Sequence, residues 1–155
     1  MSPKSVLRHP LAVSRLEEMA SGYFQEILDD PSPIESPRRV LICSGKIYYD
    51  LVAERDKQRA MNTVILRLEQ FYPFPFEQLK HVAGRCLDAK EWLWVQEEPE
   101  NMGGWNFVRG YLHEALNKEV HYLGRKAAAS PATGYHSIYK SEQAAIVEEA
   151  IGSPL

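Results

Sequence analysis

The stretch RRVLICSGKIYYDLVAERDKQ, Arg38 to Gln58, decides the fold. It opens with a continuous apolar run ending in Ser44-Gly45-Lys46. It then places Tyr48, Leu51 and Val52 on one helical face with charges opposite, the pattern of strand, tight turn and helix. The unit recurs. NTVILRLEQFYPFP alternates before a proline-broken loop, and FEQLKHVAGRC follows with Phe76, Leu79 and Val82 or Ala83 in helical register. EWLWVQEEPENMGGW then leads into NFVRGYLHEALN, whose apolar face is Phe107, Val108, Tyr111, Leu112 and Ala115. Last come EVHYLGR, a Ser-Pro-Ala-Thr-Gly loop and the helical SEQAAIVEEAIG. Such a series predicts an α/β fold of three layers: a mostly parallel sheet of about five strands with helices on both faces.

Residues 38–155 carry these units, whereas residues 1–37 read as a connector holding Pro3, Pro10, Pro31, Pro33 and Pro37. Within it, Ser14 followed by Glu17 predicts a capping box for one short helix. Tyr23–Leu28 reads as a short strand that joins a sheet edge and is free to run antiparallel.

Composition narrows the function. The chain has 155 residues, 45% of them hydrophobic and 25% charged, enough for one sizeable core. Its net charge is -3 and its basic residues are scattered, so no nucleic-acid footprint is expected. No apolar stretch has the ~20 residues of a membrane span, and MSPKSVLRHP lacks a signal-peptide centre. Cys43 and Cys86 make no disulfide framework, which fits a reducing compartment.

In a parallel sheet, ligands and partners meet the carboxyl ends of the strands, here the loops after Gly45, Gln70, Gln96 and Arg125. Glu97, Glu98, Glu100 and Asn101 are expected in the third of these, with Gly103-Gly104 turning the chain into the helix of Trp105. Spacing alone does not make a glycosidase pair of these acids, so they and Trp105 read as interface or loop-fixing contacts. Lys46 at a helix start fits an anion contact, yet the full phosphate-loop pattern is absent. The five histidines have no metal-ligand spacing with the cysteines, and no serine lies in a nucleophile elbow. By these residues alone the chain lacks complete catalytic machinery.

The strings VLICSGKIYYDL, ILRLEQFYPFP, WVQEEPENMGGW and GRKAAASPATGY, in this order, resemble the C-terminal domain of one enzyme family. That family is the thiamine-diphosphate-dependent decarboxylase component of the 2-oxoglutarate dehydrogenase complex, an oxidoreductase of the tricarboxylic acid cycle. The leading MSPKSVLRHPLAVSRLEEMASGYF is similar to the connector before this transketolase-like domain. The resemblance implies a longer parent that decarboxylates 2-oxoglutarate and passes succinyl to lipoyl groups, thiamine diphosphate serving as electron sink. It also implies magnesium in the parent, a homodimer, a dihydrolipoamide succinyltransferase partner, and a bacterial cytoplasm or mitochondrial matrix. The family's Gly-Asp-Gly cofactor motif is absent, so neither cofactor is expected in this chain, which is expected to be inactive alone. Its role is then to support dimerisation and contacts between domains or partners. Some relatives take an acyl-CoA regulator near this start, which makes Lys4 a candidate phosphate contact. The alternative is an independent small α/β protein that binds an anion at its strand-end loops.

Overall fold

The computed structural model describes residues 3–152. At its centre lies β2 (Arg39–Cys43), the strand of the deciding stretch, between β3 (Thr63–Leu68) and β4 (Glu91–Pro99). The short β1 (Ile27–Leu28) lies outside β3 and β5 (His121–Arg125) outside β4, which completes a five-stranded sheet. Every pairing is parallel except β1 with β3. The expected layers are therefore present, antiparallel edge included.

Helices α2 (Ile47–Gln58) and α5 (His136–Ile151) cover one face, and α3 (Phe76–Ala83) and α4 (Trp105–Leu116) the other. Alternation along the strands feeds both cores. Leu41, Cys43, Ile65 and Val95 meet Ile47, Leu51, Ile146 and Ala150, while Ile42, Leu66, Trp92 and Trp94 meet Leu79, Val108 and Leu112. Each fully buried aliphatic side chain contributes about 1.5–3 kcal/mol, so two covered faces are what make a continuous apolar run stable as a strand. From β2 the chain passes over one face to β3, then over the other to β4. The switch point therefore lies between the carboxyl ends of β2 and β4, where open α/β sheets place their ligands.

Four local expectations need correction. The first helix, α1 (Leu16–Ser21), is preceded by Arg15 rather than capped by Ser14, and the Arg15 N–H donates to Glu18 Oε2 at 2.9 Å. The edge strand shrinks to two residues because the regular ladder ends where the Glu26 carbonyl takes the N–H groups of both Glu69 and Gln70, leaving Tyr23 and Phe24 exposed outside the sheet. Strand β4 runs on through Glu97 and Glu98 to Pro99, since a register shift lets Pro99 pair with Arg125 after Val95 pairs with Leu123. Phe107 is exposed on α4, resting against Phe71 and Tyr111 at the rim of the core.

A buried ion pair fastens the N-terminal segment. Asp30 and Arg55 side chains are 1% and 5% exposed and bonded to each other. Asp30 also accepts the N–H of Ile65 at 2.7 Å and of Ser32 at 2.9 Å, and Arg55 donates to Ser32 Oγ at 2.9 Å. A charge pair this deep is tolerable only because nearly every lone pair and proton is matched.

Candidate functional site

The carboxyl ends of β2, β4 and β5 bring together Lys46, Glu97 and Arg125, with Tyr139, Glu142 and Gln143 presented by α5. Glu97 follows Val95 by two residues, so strand alternation turns it to the α2/α5 face. There it pairs with Lys46, and the Tyr139 hydroxyl lies 3.0 Å from both Glu97 Oε1 and Lys46 Nζ. Burial alone would lower the Lys46 pKa. The hydrogen bonds and charges of Glu97 and Tyr139 outweigh it, and the ammonium is held above the ordinary lysine value. Lys46 is thus already partnered by a carboxylate.

Arg125 binds Glu142 Oε2 through Nε at 2.8 Å, donates to the Glu97 carbonyl, and lies 5.0 Å over the Tyr139 ring. Gln143 carries the network to Asp50 of α2 at 2.9 Å. The Thr133 hydroxyl, 2.6 Å from Glu142, and then Arg125 hold the Glu142 carboxyl below the usual carboxylate range. An ionised carboxylate therefore borders the groove of about 690 Å³ between the end of β5, the 126–134 loop and α5. The Ser130 hydroxyl is turned back to the Ala132 carbonyl, so neither loop hydroxyl faces an incoming anion.

The other acids of the β4 end divide. Glu98 and Glu100 side chains are exposed, whereas Asn101 forms a two-way amide pair with the Ala128 backbone at 3.0 Å in each direction. Trp105 is half-buried against Tyr122, with ring centroids 5.8 Å apart. The Tyr122 hydroxyl donates to the carbonyls of Arg125 at 2.7 Å and Glu98 at 3.0 Å, and burial and then the Glu100 charge push its pKa up to about 12. Lys4 is exposed in the N-terminal turns, apart from all of these.

Gln96, unremarked in the sequence, fixes the whole turn. Its side-chain oxygen accepts from Trp94 Nε1 at 2.8 Å and from the N–H groups of Gly104 at 3.1 Å and Trp105 at 3.0 Å. Its amide nitrogen donates to the carbonyls of Met102 at 2.8 Å and of Glu98 and Pro99 at 3.2 Å. Gly103 is required here: its φ is +66°, and a Cβ would lie 2.8 Å from Gln96 Nε2. The available signal was an amide following Trp92 and Trp94 at period two, a lone polar group on a buried face. Tyr139 and Gln143 gave no such signal, because what they bond to is scattered along the chain, Lys46 and Asp50 each lying 93 residues away.

Chemically the arrangement is a closed network of ion pairs and hydrogen bonds, without a free nucleophile beside a base. Cys43 is wholly buried and its thiol is pushed up to about 12 by that burial. Among the described residues no three His, Cys, Asp or Glu side chains gather as a metal site, and the sequence has no Gly-Asp-Gly. A metal-bound diphosphate therefore does not fit the residues present among those described. No helix among the described residues is long and apolar enough to cross a membrane.

Comparison with known proteins places the chain. Residues 13–151 match the family model described as 2-oxoglutarate dehydrogenase C-terminal. An oxoglutarate dehydrogenase of Buchnera aphidicola is 43% identical over 155 residues, covering 97% of this chain and 17% of the relative. The 2-oxoglutarate dehydrogenase E1 components of Cupriavidus necator and Haemophilus influenzae are each 41% identical. They cover 97% of the chain and 16% and 17% of the relative. The chain thus spans about one sixth of the length of the curated relatives it matches. Matched along nearly its whole length, the chain belongs to the 2-oxoglutarate dehydrogenase C-terminal family.

Proposed function

We propose that this chain works as the C-terminal domain of a longer 2-oxoglutarate dehydrogenase E1 polypeptide and carries no catalytic group of its own. The observation that carries this reading is the asymmetry of coverage: relatives named as E1 components match 97% of the chain but only 16–17% of themselves. Thiamine diphosphate and magnesium belong to the remainder of that parent, where the cofactor supplies the decarboxylation chemistry. The parent acts as a homodimer in the bacterial cytoplasm, or in the matrix of a mitochondrion, and hands succinyl to a dihydrolipoamide succinyltransferase.

Within the parent, residues 1–37 are the connector and residues 38–155 the transketolase-like domain. Its role is to support the dimer and the contacts between domains. The exposed Glu98 and Glu100 and the rim of Trp105 face partners, while Glu97 and Asn101 hold the surface in shape. Lys4 and Lys46 remain the candidate anion contacts, Lys4 having the freer ammonium because Lys46 is committed to Glu97. The isolated chain, supplied with thiamine diphosphate, magnesium and 2-oxoglutarate, is expected to release carbon dioxide no faster than buffer does. Turnover above that background would overturn the non-catalytic assignment.

A further inference from the structure

Seven of the thirteen large hydrophobic side chains exposed among the described residues fall within the short segment Leu7–Phe24. They are Leu7, Leu11, Val13, Leu16, Met19, Tyr23 and Phe24, from 56% to 85% exposed. Scattered exposed leucines are ordinary, but a contiguous run marks a surface made to be covered. Helix α1 buries no residue at all. At six residues it is too short to persist on its own hydrogen bonds, and helices of this length draw stability from packing. Leu16, Met19 and Tyr23 recur at spacings of three and four, which aligns the first two on one helical stripe that the chain continues outward.

The segment is nevertheless held in place. The His9 ring rests on Tyr49 of α2 with centroids 4.5 Å apart, and at the other end Ile27 and Leu28 pair with β3. Between these ties it leaves a groove of about 520 Å³, walled by Leu11, Met19 and Phe24 on one side and by Tyr48 and Arg67 on the other. Arg67 does not make this groove an anion site: its guanidinium lies 4.5 Å over the Tyr48 ring and its Nε is 2.8 Å from Glu69. The groove is mixed in character: apolar side chains of the N-terminal segment line it together with Ser14, Glu18, Gln25, Asp29 and Glu69.

We propose that the Leu7–Phe24 strip is the principal docking surface for the rest of the parent polypeptide, which seats an apolar face on the exposed side chains of this strip, α1 included. The proposal rests on the reading of the chain as one domain of a longer protein. What selects this occupant is length: more than four fifths of each relative lies outside the match, so a large covering partner is tethered to the same chain. Tethering raises effective concentration, and an apolar strip of this kind needs no charge complementarity to be buried.

The test is amide hydrogen exchange of residues 7–24 in the isolated chain and in the full-length parent, with sedimentation of the isolated chain alongside. Fast exchange in a monomeric isolated chain and at least about tenfold slower exchange in the parent are expected. Combined Leu11→Ser, Leu16→Ser and Met19→Ser substitutions should leave the melting temperature of the isolated chain unchanged and restore fast exchange in the parent. Equally fast exchange in both forms would overturn the docking surface while leaving the parent reading intact. Concentration-dependent protection in the isolated chain, with a dimer in sedimentation, would overturn it in favour of a second copy. Absence of any longer native polypeptide would instead remove the reading on which it rests.

Discussion

Gln96 is worth more to the β4 turn than any acid around it. Six hydrogen bonds converge on an amide that is 3% exposed, and they orient Trp94, the Glu98–Met102 carbonyls and the first N–H groups of α4. Replacing it with leucine keeps the volume but leaves an indole N–H and several backbone groups unpaired in the interior. Gln96→Leu is expected to cost about 2–4 kcal/mol in urea unfolding, and a loss within experimental error would refute the hub. Tyr122 gives a pH signature at the same turn. Its phenol titrates near 10 when exposed and near 12 in the fold. The stabilisation is therefore complete below pH 10 and is lost as pH rises from 10 toward 12. The advantage of the native chain over Tyr122→Phe, read from urea midpoints, should shrink between pH 8 and pH 11.5. An advantage independent of pH would contradict the assignment. The acids were conspicuous in the sequence because charge is visible there, whereas an amide's value depends on what surrounds it.

At the scale of elements, two devices hold the periphery to the sheet. Helix α5 is fixed near its start by Lys46, Glu97 and Arg125. At its end Arg39 Nη1 donates to the carbonyls of Glu149 and Ala150 at 2.9 Å, completing acceptors that the helix leaves open. The N-terminal segment is fixed by Asp30 and Arg55, with Arg85 adding bonds to Asp29 at 2.7 Å and to the Ile34 carbonyl at 2.9 Å. Asp30→Ala leaves the Arg55 guanidinium buried without its carboxylate and is expected to cost about 3–5 kcal/mol in thermal or urea unfolding. A cost under about 1 kcal/mol would show that the pair behaves like an exposed one. The strand-helix units were legible because their apolar periods are local. Element ends were less so: β4 outruns its apolar pattern because β5 offers a partner at Arg125, and the strand expected at Tyr23–Leu28 is cut short where the Glu26 carbonyl takes the N–H groups of both Glu69 and Gln70. Arg55, on the buried side of α2, looked like one more surface charge because its partner lies 25 residues back.

At the scale of the molecule, Lys46, Glu97, Arg125 and Glu142 at the strand ends are paired with one another or with α5, and among the described residues most of the exposed large hydrophobic side chains lie outside the sheet, on the N-terminal segment. That profile supports the proposed role of a domain that binds and positions, in a chain matching about one sixth of its relatives. The family was readable from ordered strings such as WVQEEPENMGGW, whose glycines, Gln96 and tryptophans turn out to form one hydrogen-bonded turn. What the sequence left open was how far its acids are free, since Glu97 is consumed by Lys46 and Tyr139 only once the sheet is assembled. The most direct check of the central claim is the mass of the native polypeptide in its source cell, read by immunoblot with an antibody against this chain. A band several times larger than the chain's own 17.7 kDa is predicted, and a single band at 17.7 kDa would contradict the account.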